Sequence, residues 1–194
     1  MTTVFFAIPG DINLPTGGYT YDRRVLALLP KYRIDAQHLW LPASYPAPTQ
    51  ADLAWTANAF AKLPRKAVLM VDGLAYGAMP PEIIERAPCP IVALVHHPLC
   101  LETGLSEARQ AELRTSEVLA LSLASFVVVT SDATAKTLVD EFGVPAEQIA
   151  VAMPGTDRPP TAVRILPAMP QARISRGSHS PSEPTASDRA QCRC

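Results

Sequence analysis

Positive charge is scarce in this 194-residue chain: 17 Lys and Arg stand against 18 Asp and Glu. That near-balance leaves no basic field to hold a nucleic-acid backbone, so nucleic acid is not expected as a partner. Long apolar runs are also missing, and none approaches the roughly 18 residues that a membrane-spanning helix needs. The opening Met1-Thr-Thr-Val-Phe-Phe-Ala-Ile-Pro9 has no basic residue ahead of its apolar stretch and turns at Pro9-Gly10. A secretory leader is therefore not expected, and a cytoplasmic protein is. Cysteine is limited to four residues. Cys89 and Cys100 have no metal-type spacing, and Cys192 and Cys194 form a Cys-x-Cys pair with no further ligands nearby. Reduced thiols and no metal are the expectation. The dinucleotide fingerprint G-x-G-x-x-G, the phosphate loop G-x-x-x-x-G-K-[ST] and the nucleophile elbow G-x-S-x-G are all absent, which argues against dinucleotide enzymes, P-loop nucleotidases and α/β-hydrolases.

What the chain does have is a core. Hydrophobic residues make up 48% of it and charged residues 18%, the balance of an ordinary globular domain. Short apolar runs at Val4–Ile8, Ala36–Leu41, Ala67–Val71, Ile91–Val95, Ser125–Val129 and Ile149–Met153 read as strands, mostly buried on both faces. Between them lie helical patterns: Tyr21–Leu29 ended by Pro30, a segment capped by Thr49 and running to about Lys62, and a short turn begun by Pro81. Two more run from Ser106 to about Leu123 and from Ala133 to Phe142, the last with Gly143 placed as a left-handed cap. Strand–helix alternation at this spacing predicts a single Rossmann-like α/β domain over residues 1–160. Its architecture is a three-layer sandwich on a mainly parallel sheet of about six strands. From residue 161 to 194 the composition turns to Arg, Ser, Pro, Ala and Gln without periodicity, and a disordered tail is expected there.

The candidate functional residues follow from that topology, because ligands of open α/β sheets sit outside the carboxyl ends of the strands. The strand Ile91–Val95 ends in His96, His97 and Pro98, which makes the two histidines candidate catalytic or binding groups; capping of the strand end is the plainer role. After the first strand, Gly17 and Gly18 precede a helix and would let a phosphate or sugar hydroxyl approach the backbone, with Tyr19 beside them. Asp72, before Gly73, would orient a ligand or make a tight turn. Thr130 and Ser131 would hydrogen-bond a hydroxyl or cap the next helix.

Four segments in order carry a family likeness: Gly17-Gly-Tyr-Thr-Tyr-Asp-Arg-Arg-Val25, Val95-His-His-Pro-Leu99, Val127-Val-Val-Thr-Ser-Asp-Ala-Thr134 and Val151-Ala-Met-Pro-Gly-Thr-Asp157. Over residues 1–160 the chain resembles the amino-terminal domain of a GT-B glycosyltransferase of family 4. The resemblance implies a protein with two Rossmann-like domains, an acceptor on the amino-terminal one and a nucleotide-sugar on the other. It also implies transfer that retains the anomeric configuration, with no metal or other cofactor. Gly17 and Gly18 would then lie beside donor phosphates or acceptor, His96 or His97 would contact the transferred sugar, and Gly155 and Asp157 would form the hinge. No second strand–helix domain follows residue 160. The sequence therefore reads as a truncated or split transferase, inactive alone and in need of a donor-binding domain in trans. A non-catalytic sugar- or acceptor-binding module is the alternative.

Overall fold

The computed structural model describes residues 2–156. They form one six-stranded sheet in the order β2-β1-β3-β4-β5-β6, every neighbouring pair parallel. The strands are β1 (Thr2–Pro9), β2 (Ile34–Leu41), β3 (Val68–Asp72), β4 (Ile91–Val95), β5 (Phe126–Val129) and β6 (Ile149–Val151). The α/β class and the single parallel sheet are those the alternating sequence pattern predicts. The expected tail, residues 161–194, lies outside the described residues, as does Asp157.

Helices α1 (Gly17–Leu28), α2 (Gln50–Ala61), α3 (Gly73–Tyr76), α4 (Pro81–Ile84), α5 (Glu107–Ser122) and α6 (Asp132–Phe142) connect the strands. Their starts are written in the sequence. Thr49, Ser106 and Ser131 each accept a hydrogen bond from the backbone three residues on, and Gly143 ends α6 at φ 71°. These caps satisfy amides that a helix terminus otherwise leaves bare.

The period-2 alternation of the strands sorts side chains onto two faces. Ala7, Leu69, Val71, Ala93, Val95, Val127 and Val129 point to one face, where Phe60 of α2, Ile84 of α4, Leu113 and Leu121 of α5 and Leu138 of α6 complete the larger core. Phe6, Ile8 and Leu94 point to the other, where Tyr19, Tyr21, Val25 and Leu26 of α1 cover them. The chain runs from β1 outward to β2 and then returns past β1 to β3. This reversal parts the connecting segments above β1 and β3 and opens a crevice at their carboxyl ends. Among the described residues, no helix is long and apolar enough to cross a membrane.

Candidate functional site at the carboxyl edge of the sheet

The site begins with an anomaly on α1. Its sheet-facing stripe runs through Gly18, Asp22 and Val25, the spacing of one helical face. Asp22 is the buried residue of the helix, and it is fully buried. A carboxylate there needs a partner, and β4 supplies it. His96 lies two residues beyond Leu94, on the face that α1 covers, and its Nε2 donates to Asp22 Oδ1 at 3.1 Å. The same nitrogen is 3.6 Å from Oδ2 of Asp72, at the end of β3. The other Asp72 oxygen caps α3, accepting from Leu74 N–H at 2.8 Å. Three elements of the fold, α1, β3 and β4, thus converge on one imidazole.

The surroundings hold that imidazole in place. The Tyr21 ring meets it edge-on with centroids 5.3 Å apart, while the hydroxyls of Thr130 and Thr134 donate to the His96 carbonyl at 3.4 Å. A Cβ on Gly18 would sit 3.6 Å from the ring, so the glycine leaves the imidazole edge uncovered. About a quarter of the His96 side chain is exposed, whereas Asp22 and Asp72 are buried. Gly73 is required for a different reason: a Cβ there would fall 3.0 Å from the Leu94 carbonyl oxygen. Helix α3, and Asp72 with it, packs directly on the β4 backbone.

Burial and the neighbouring Asp22 charge, partly offset by His96, push Asp72 up to about 7. Burial alone would lower the His96 pKa, but the hydrogen bond to Asp22 and the charges of Asp22 and Asp72 outweigh it and raise the value. The site thus favours the cationic imidazole more than water does, and Asp72 is poised near neutral pH to gain or lose a proton. Such a group can donate to an oxygen ligand or exchange a proton with it.

The candidate residues from the sequence meet this centre unequally. Gly18, Asp72 and His96 are in it, and Thr130 touches the His96 backbone. His97 is exposed and outside the cluster, near enough to Glu117 to favour that residue's charged form. Tyr19 donates its hydroxyl to the Pro9 carbonyl at 2.8 Å, which ties α1 to the end of β1. Gly17 faces open space. Ser131 caps α6, accepting from Thr134 N–H at 3.0 Å, and Gly155 is exposed with open space around it. Beside the centre, at the carboxyl ends of β1 and β2, lies an open groove of about 440 Å³ lined by Gly10, Asp11, Ile12, Asn13, His38, Trp40 and Ala43. Trp40 is 48% exposed and packs edge-to-face on Trp55 with centroids 5.1 Å apart.

Asp22, His38 and Trp40 are the residues that sequence reasoning missed. Asp22 carries a legible signal, an acid on an otherwise apolar helical stripe. Trp40 and His38 alternate on an edge strand and carry none. No family model matches the chain, and no curated protein matches it.

Proposed function

We propose that this chain is the acceptor-side domain of a GT-B-type glycosyltransferase and that it binds a hydroxylated sugar at the carboxyl edge of its sheet. The observation that carries the reading is His96, held between two buried carboxylates with one edge open beside Gly18. The four segments that resemble the family are separate in sequence yet close on this centre. Gly18, Tyr21 and Asp22 come from the first, His96 from the second and Thr130 and Thr134 from the third. The fourth joins through the Tyr21 hydroxyl, which donates to the Ala152 carbonyl at 2.7 Å.

In this reading His96 donates to a sugar hydroxyl or ring oxygen, and Asp22 and Asp72 orient the imidazole and favour its protonated form. The α1 N-terminus adds unpaired amides for an oxygen-rich ligand. Trp40 offers an apolar surface and Asp11, Asn13 and His38 offer polar groups, the mixture that recognises a sugar's C–H face and its hydroxyls. Transfer itself requires a nucleotide-sugar held by a second domain, as the resemblance implies. A sugar-binding module without catalysis would use the same residues.

Saturation-transfer NMR of the full chain with mono- and disaccharides tests the proposal. Binding on the order of millimolar is expected for a site open to water on one side, lost in His96→Ala and weakened in Gly18→Val. Equal binding by wild type and His96→Ala would overturn it.

A further inference from the structure

We propose that Asp22, Asp72 and His96 form a binding site for a divalent transition-metal ion with mixed oxygen and nitrogen preference. One donor atom from each residue lies within 4.8 Å of the other two. The two separations given by His96 Nε2, 3.1 Å to Asp22 and 3.6 Å to Asp72, are those of neighbouring ligands around a first-row ion. With bonds of about 2.1 Å, ligand–ligand edges run from roughly 3.0 Å in octahedral to roughly 3.4 Å in tetrahedral geometry. Two of the three edges therefore match an ion's ligand spacing, and the third, between the two carboxylates, lies within 4.8 Å.

A second observation is independent of that geometry. Asp22 is fully buried, and its second oxygen, Oδ2, has no hydrogen-bond partner. Among the described residues, His96 is the one that forms an ion pair with Asp22 or Asp72. Two carboxylates taken out of water call for cationic partners, and a single imidazole faces them both. A divalent ion with two carboxylates and a neutral imidazole sums to zero. The Leu74 N–H on the far oxygen of Asp72 and the Tyr21 ring on His96 supply outer contacts of the kind that orient ligands. The open edge beside Gly18 leaves a coordination position for a water or a ligand oxygen. An imidazole in the set favours Mn²⁺, Fe²⁺, Co²⁺ or Zn²⁺ over Mg²⁺ and Ca²⁺. This departs from the metal-free chemistry that the family resemblance implies and does not rest on the sugar reading: with the ion bound, His96 Nε2 is a ligand and not a proton donor, so the ion and the protonated imidazole are alternative states of the centre.

The test is a titration of the full chain with Mn²⁺ alone, followed by loss of the free-ion EPR signal; Mn²⁺ avoids the thiols of Cys192 and Cys194. One saturable site per chain is expected, weakened at least tenfold in Asp22→Asn and in Asp72→Asn, with circular dichroism reporting that each variant is folded. In wild-type protein, amide broadening by Mn²⁺ should centre on residues 18–22, 72–74 and 94–97, a result that needs no variant. Absence of saturable binding in the wild type, equal binding by folded Asp22→Asn, or broadening centred elsewhere would each overturn the proposal. Because the titration contains no sugar, its failure leaves the functional reading standing.

Discussion

Glu117 of α5 should prove to be the support of the histidine loop, and Glu117→Gln is the substitution that exposes it. The side chain is buried, and its two oxygens accept consecutive amides: Leu99 N–H at 2.6 Å and Cys100 N–H at 2.9 Å. This fork fixes the 3-10 turn Leu99–Leu101, which begins three residues after His96. Glutamine keeps the shape but has one acceptor oxygen, so its NH₂ would face a backbone N–H. Losing one charge-assisted bond and leaving that amide bare costs about 1.5–3 kcal/mol. Relief from burying a charge offsets part of it, leaving a net loss of about 2 kcal/mol. For a domain of this size that is a Tm lower by about 4–8 °C at neutral pH. Burial raises the Glu117 pKa above its ordinary 4.5, against the hydrogen bonds from Cys100 and Leu99. The folded state thus binds this proton more tightly than the unfolded state. Stability from this group is full below pH 4.5 and is lost as pH rises through the raised value. Since glutamine does not titrate, the Tm gap between wild type and variant should narrow as pH rises from 4.5. Thermal unfolding by circular dichroism at a series of pH values measures both effects. A variant as stable as wild type, or a gap that widens with pH, would refute the reasoning.

Gly77→Ala should be more damaging than its size suggests, because the new Cβ would fall 2.6 Å from Glu117 Cγ and 3.1 Å from Leu99 Cδ1. Glu117 is pinned by its two amides, so overpacking should cost about 1–3 kcal/mol in a urea melt. Gly73→Ala meets backbone, the Leu94 carbonyl oxygen at 3.0 Å, and should destabilise by a similar amount while displacing Asp72 from His96. His96→Ala should abolish sugar binding and His97→Ala should leave it within about twofold, read by the same saturation-transfer measurement; the opposite ranking would assign the role to the exposed histidine. The chain by itself should turn over no nucleotide-sugar, since positioning and phosphate-charge stabilisation would come from a donor domain. Steady release of nucleoside diphosphate, checked by a coupled assay, would contradict that.

The sheet was legible because each buried strand is a short apolar run closed by Gly, Pro or a capping residue; β4 runs over Ile91–Val95 as expected. Thr49, Ser131 and Gly143 were legible as caps because their side chain or backbone freedom has one obvious local use. The first helix was expected from Tyr21 and begins at Gly17 instead, where the Thr16 hydroxyl accepts from Tyr19 N–H. Two glycines conceal a helix start, since their propensity argues against it. Helix α3 spans four residues, too few for any periodicity, so Asp72 read as a turn residue rather than a cap. The pairing of Asp22 with His96 is a contact across 74 positions, set by which face of the sheet α1 covers. Strand parity then separates the histidines: His96 continues the Leu94 side toward α1, and His97 does not.

The measurement closest to the central claim is a chemical-shift map of the ¹⁵N-labelled chain titrated with acceptor-type mono- and disaccharides, up to about tens of millimolar. The account predicts shifts that cluster on Gly17 to Asp22, Asp72 and Gly73, His96, and Thr130 and Ser131, with an outlying group at Asn13 and Trp40. Shifts gathered on the amino-terminal edge of the sheet, at residues 62–67, 86–90 and 143–148, would contradict it, as would a chain whose spectrum no sugar changes.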